Sequence, residues 1–183
     1  MKKIMLVTSG QCMLMSLLFF SSMAQQPADK NLQEAKKAIA ASNELYFQAF
    51  AKNDSALLID RYTKDCWIMI PHMPTLCGQE APHEIFNIAY NKFGLRNGRF
   101  ITIDVFGDGI EYVTEIGFWE TYGADNQLFD NGKFQVLWKK TPAGWKMFRE
   151  SFSSDRAVSK KVSQTCPIPD NRSSLVFNTV NYN

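Results

Sequence analysis

The chain is poor in the residues that build metal centres and nucleophilic triads, with 2 histidines and 4 cysteines among 183 residues. His72 and His83 lie eleven positions apart, and neither a Cys-x-x-Cys nor a His-x-x-x-His spacing occurs, so no tetrahedral metal site can be built from local motifs. A Gly-x-Ser-x-Gly elbow is missing too, which counts against a serine hydrolase. Gly107-Asp108-Gly109 joins two strand-like segments and opens no helix, so it reads as a hairpin turn and not as a phosphate loop. No metal and no cofactor is expected.

Long hydrophobic runs are lacking as well. The apolar stretch around Leu14, Leu17, Leu18, Phe19 and Phe20 is short and interrupted by Thr8, Ser9, Gly10, Gln11 and Ser16, which argues against a retained membrane anchor. Lys2 and Lys3 before it and Ser22-Met23-Ala24 after it give residues 1–24 the form of a cleaved signal peptide. Cys12 lies inside the apolar run, so no lipid-anchor cysteine stands at the cut. The protein is expected to be exported, periplasmic or secreted, with no membrane attachment after cleavage. Lys2 and Lys3 account for the net charge of +2, and residues 25–183 carry 18 basic against 18 acidic groups. That balance excludes nucleic acid as an expected partner.

The remaining 159 of 183 residues make one domain, 25–155, and a C-terminal extension, 156–183. Cys66, Cys77 and Cys166 survive processing, which allows one disulfide with a thiol left over, or three thiols. Their pairing stays open.

Leu32, Ala35, Ile39, Ser42, Tyr46, Ala49 and Asn53 recur at intervals of three and four, the mark of one buried helix face. Asn53 suits the left-handed residue that ends this helix, and Asp54 suits the cap of a second, Ser55 to Tyr62. Cys66 to Pro71 is apolar at nearly every position, which predicts a short strand covered on both faces. Gly78 allows a turn, and Pro82 fits the first turn of a helix burying Ile85, Phe86, Ala89 and Phe93. Beyond Gly94 the period becomes two. Phe100–Phe106, Ile110–Tyr122, Lys133–Lys140 and Trp145–Phe152 read as an antiparallel meander.

Glu115-Ile116-Gly117, Gly132-Lys133-Phe134, Trp138, Gly144-Trp145-Lys146-Met147 and Arg149-Glu150 together resemble motifs of the DUF4440 and SnoaL-like branch of the NTF2-like superfamily, over roughly Leu32 to Asp155. Glu150 stands where that branch usually has aspartate. The resemblance implies an α+β, NTF2-like (cystatin-like) cone, in which N-terminal helices pack on a strongly curved, mixed and mainly antiparallel sheet around an internal pocket. It also implies a homodimer. By the spacing of the related ketosteroid isomerases, Tyr46 matches the oxyanion tyrosine, the base position falls on Ile70, and the second oxyanion acid falls near Val136. Isoleucine and valine move no protons, so that mechanism is not expected.

His72 follows the pocket strand in the same parity as Ile70, and an imidazole is the side chain suited to moving protons near neutral pH. His72, Tyr46 and Glu150 are therefore the candidate catalytic residues of a relocated acid-base set, with Glu115 as a further partner for His72. Tyr46, Trp67, Met69, Ile70, His72, Phe86, Trp119, Phe134 and Trp138 are the candidate ligand contacts, an apolar surface with few polar groups. The leading expectation is binding of a small, largely apolar molecule without turnover. Two alternatives stand beside it: a lyase, isomerase or hydrolase built on His72, Glu150 and Tyr46, and a homo-oligomeric assembly module using the outer sheet face of Lys133, Gln135, Leu137 and Lys139.

Overall fold

Ala35, Ile39, Tyr46, Phe47, Ala49 and Phe50 are all buried on one side of α1, Pro27–Lys52, which lies across a six-stranded sheet. The computed structural model describes residues 27–156; the expected signal peptide, Cys166 and nearly all of the C-terminal extension lie outside them. Asn53 ends α1 with a left-handed φ of 54°, and Asp54 caps α2, Ser55–Ile59, by accepting from the Ala56 N–H at 3.0 Å. The second helix is shorter than its sequence suggests. Tyr62 leaves it and begins β1, Tyr62–Met69, because its ring is buried against the sheet and not on the helix.

The strands β2, Leu76–Cys77; β3, Asn97–Gly107; β4, Tyr112–Tyr122; β5, Leu128–Thr141; and β6, Gly144–Ser154, complete one sheet in the order β2-β1-β6-β5-β4-β3. Only β1 and β6 run parallel; every other neighbouring pair is antiparallel. The short edge strand β2 is an addition to the meander anticipated from periodicity. Burial in β1 is one-sided: Cys66 and Ile68 face the core, whereas Trp67 and Met69 are half-buried on the far face, where the Arg149 guanidinium lies 4.9 Å from the Trp67 ring. The strand is therefore covered on one face by helices and on the other only by a neighbouring side chain.

Between β2 and β3, α3, Ala81–Asn87, buries Ile85 and Phe86 and runs into one turn of π-helix over Ile88–Lys92. Ala89 is buried there, but Phe93, expected in the core, is 48% exposed. The wider turn rotates it outward.

The glycines of the two strand motifs have a steric reason. A Cβ on Gly132 would run into the Ser153 carbonyl oxygen, and one on Gly117 into that of Ile101. Neighbouring backbones come too close there for any side chain.

Register places one row of inward-facing residues across five strands: Ile68, Glu150, Val136, Glu115 and Val105. All five are buried. Glu115 and Glu150 thus flank Val136 from the strands on either side of it, their backbones about 10 Å apart across two strand spacings.

Candidate functional site

A cavity of about 100 Å³ opens between α1, the α3 to π-helix segment and the inner sheet face. Its wall is mostly aromatic, with Tyr46 and Phe47 from α1, Phe100 from β3, Trp119 from β4 and Phe152 from β6. The helical spacing that buries Tyr46, Phe47 and Phe50 sets these rings against Phe100, whose centroid lies 5.0 Å from that of Tyr46 and 4.9 Å from that of Phe47. Trp119 meets Phe152 edge-on at 5.7 Å. Such T-shaped pairs put the positive ring edge on a negative face and hold the wall rigidly. Phe93 and Phe129, stacked at 6.1 Å, stand at the more exposed end.

Glu150 is the buried carboxyl on the cavity wall. Two per cent exposed, it lines the cavity and accepts a 2.5 Å hydrogen bond at Oε2 from the Tyr62 hydroxyl. Burial pushes its carboxyl up to about 7; the Tyr62 bond pulls the other way, and the charge of Glu115 adds to the rise. Burial also pushes both phenols, Tyr46 and Tyr62, well above their ordinary range, reinforced by Glu150. The three groups form one coupled cluster, since the Tyr46 and Tyr62 hydroxyls also interact. At neutral pH it contains two phenols that keep their protons and a carboxyl poised between its two forms.

Asp130 is the second acidic group on the wall, nearer the mouth. It is fully partnered: Ser154 Oγ donates to both its oxygens at 2.9 Å, the Asn131 N–H donates at 2.8 Å, and the Arg156 guanidinium stands at 3.6 Å.

Glu115 belongs to a different environment. It is fully buried and accepts from Asn43 Nδ2 at 2.7 Å, Thr102 Oγ1 at 2.6 Å and the Trp138 indole N–H at 3.0 Å. Burial raises its carboxyl above the ordinary range and those three donors oppose the rise. It does not line the cavity, so it ties α1, β3, β4 and β5 together from below.

Of the residues singled out by sequence, Tyr46, Ile70, Trp119 and Glu150 meet on the cavity wall. Phe86, Phe134 and Trp138 are buried just behind it: Phe86 stacks on Phe50 at 5.1 Å, Phe134 packs on Phe100 at 4.8 Å, and Trp138 serves Glu115. Trp67 and Met69 face away, on the outer surface of β1. His72 does not join the others. It is exposed in the turn after β1 with a left-handed φ of 65°, because the strand ends at Met69 and the chain reverses before parity can carry the imidazole inward. Neither it nor Glu115 is placed to form an acid-base pair with a ligand in the cavity.

Sequence reasoning misses Tyr62, Asp130 and the rings of Phe47, Phe100, Phe129 and Phe152 as site residues. Tyr62 has a signal, its even-numbered parity with Cys66 and Ile68, but a register shift between Tyr62 and Trp67 separates it from the regular part of the strand. Among the described residues no group of three or more His, Cys, Asp or Glu side chains is placed to hold a metal ion. Cys77 is disulfide-bonded, whereas Cys66 is a free buried thiol that donates to the Gly78 carbonyl at 3.3 Å and is pushed up to about 12 by burial.

An α1 layer lying over a mixed sheet is matched by many solved structures. An NTF-2 like protein of unknown function from Shewanella oneidensis superposes with a TM-score of 0.55 at 13% identity, covering 64% of this chain and 97% of its own. The chain has the NTF2-like fold. A ketosteroid isomerase-like protein from Erwinia carotovora atroseptica aligns at TM-score 0.56 and 18% identity over 70% of this chain and 99% of its own. A protein of unknown function with a cystatin-like fold from Nostoc punctiforme aligns at 0.56 and 12% over 67% and 92%. No protein-family model and no curated protein matches the sequence. In this chain Ile70 lines the cavity, and Val136 pairs with Glu115 on one side and Glu150 on the other.

Proposed function

We propose that this NTF2-like cone binds a small, largely apolar molecule with one polar end. One observation carries the reading: an aromatic wall converges on a single buried carboxyl, Glu150, whose Oε2 is held by Tyr62. A ligand there would bury its body against Phe47, Phe100 and Trp119, gaining about 25 cal/mol for each Å² of apolar surface removed from water. Its polar end would meet Glu150, with the Tyr46 hydroxyl also on the wall. The domain would act in the periplasm or outside the cell, as a homodimer, in keeping with the leader-like N-terminus and the NTF2-like resemblance. Titration with benzyl alcohol by calorimetry tests the reading. Saturable binding that disappears when Ile70→Trp fills the cavity supports it; heats indistinguishable from dilution would remove it.

A second reading, acid-base catalysis, is favoured by one specific feature: Glu150 is poised near neutrality beside two protonated phenols. In this form the reaction would use Glu150 as proton carrier and Tyr46 as hydrogen-bond donor to an enolate or alkoxide oxygen, without His72. A bell-shaped pH profile with an arm near 7, lost in Glu150→Gln, would be its signature.

A further inference from the structure

Within the proposed binding site, on which this inference rests, one asymmetry of charge is unanswered. Eight of the fifteen residues lining the cavity are aromatic, two are acidic, and none of those described is Lys, Arg or His. Asp130 has Arg156 beside it. Glu150 has no cation: no ion pair involving it occurs among the described residues, and the Arg149 guanidinium next to it in sequence lies on the other face of the sheet over the Phe148 and Trp67 rings. The groups facing Glu150 from every neighbouring element are neutral or negative. They are Tyr62 and the Cys66 thiol on β1, Tyr46 on α1, Glu115 across β5, and Asp130 further along the wall. A carboxylate taken out of water without a counter-ion is costly, and one cation delivered beside it would relieve that cost. The walls suit the same charge, because the faces of aromatic rings attract cations and a cage of them is the usual receptor for organic ammonium groups. Phe152 lies two residues from Glu150 on the same face of β6, with Trp119 packed against it.

We propose that the cavity selects an organic ammonium ion: a small aromatic or aliphatic body carrying an amine, its cationic head against Glu150 and its body among the rings. Carboxylate ligands are disfavoured by the same two acids. Neutral alcohols fit the cavity but bring Glu150 no counter-charge.

Three probes of similar size separate the possibilities: benzylammonium, benzyl alcohol and benzoate, titrated into the wild-type protein by calorimetry at pH 6 and pH 8. The expected result is that benzylammonium binds at least tenfold tighter than benzyl alcohol at pH 8, with benzoate weakest. Because the amine stays protonated at both values while Glu150 titrates between them, benzylammonium affinity should fall about tenfold from pH 8 to pH 6 and benzyl alcohol affinity should not fall. Glu150→Gln, shown to be folded by its circular dichroism and urea midpoint, should lose the preference for the cation. Equal affinity for the alcohol and the amine, or preference for benzoate, would overturn the ammonium assignment and leave the apolar-ligand reading standing. Failure of all three probes would overturn both.

Discussion

Replacing Glu150 by glutamine should make the protein more stable at high pH, and by an amount that can be worked from its burial. The side chain is 2% exposed, and its carboxyl holds its proton up to about 7 in the fold, against 4.5 for the free group. Between those values the unfolded chain binds fewer protons than the folded one, so stability falls as pH rises. The contribution is fully present below about 4.5 and is lost as pH passes through about 7. A separation of about two and a half units, at about 1.4 kcal/mol per unit, makes the whole effect about 3 kcal/mol. That corresponds to a melting shift on the order of 10 °C for a domain of this size. Glu115, also raised by burial, carries the same sign and cannot cancel it. Glutamine keeps the shape and an oxygen for the Tyr62 hydroxyl but has no proton to lose. Urea unfolding followed by circular dichroism at pH 5 to 9 measures both proteins. The wild type should lose about 3 kcal/mol relative to Glu150→Gln across that range. Parallel curves would refute the burial argument, and a wild type that gains stability with pH would reverse its sign.

Three further outcomes can be checked on the same material. Trp138→Phe removes the 3.0 Å indole donor from fully buried Glu115 and should cost about 1–3 kcal/mol in urea unfolding, with little change in ligand affinity because Glu115 is off the cavity wall. Tyr62→Phe deletes the bond that favours ionised Glu150, so the carboxyl midpoint followed by carbon NMR should move above its wild-type position near 7. His72→Gly relieves the left-handed φ of 65° and should stabilise the fold by about 1 kcal/mol while leaving benzyl alcohol affinity unchanged. A large loss of affinity there would return His72 to the site.

How much of the fold and the site is legible in the sequence depends on whether the signal is periodic. The stripe through Ala35, Ile39 and Tyr46, the Asn53 and Asp54 boundary, and the meander all rest on local chemistry or alternation, and they appear where those rules place them. Tyr46, Trp119 and Glu150 can be found because they sit at regular positions on long elements. The failures cluster where regularity breaks. Tyr62 reads as helical because the register shift in β1 hides its parity with Ile68. Phe93 reads as core because a helix of ordinary pitch would put it there, and the π turn does not. His72 keeps the strand's parity on paper, but its positive φ shows that the chain has already turned. Trp67 and Met69 look like pocket residues because an apolar run does not say which face is inward; the pairing of Ile68 with Glu150 does. The row that sets two carboxylates beside Val136 depends on register across β4, β5 and β6, which no single segment encodes.

The most direct test of the central claim is native mass spectrometry of the protein purified gently from its own host, with the Ile70→Trp variant prepared alongside. A stoichiometric small molecule is expected on the wild type, released on denaturation, and none on the variant whose cavity is filled. Bare chain mass for the wild type, or the same adduct on both proteins, would contradict the claim that the cone cavity is where this protein meets its ligand.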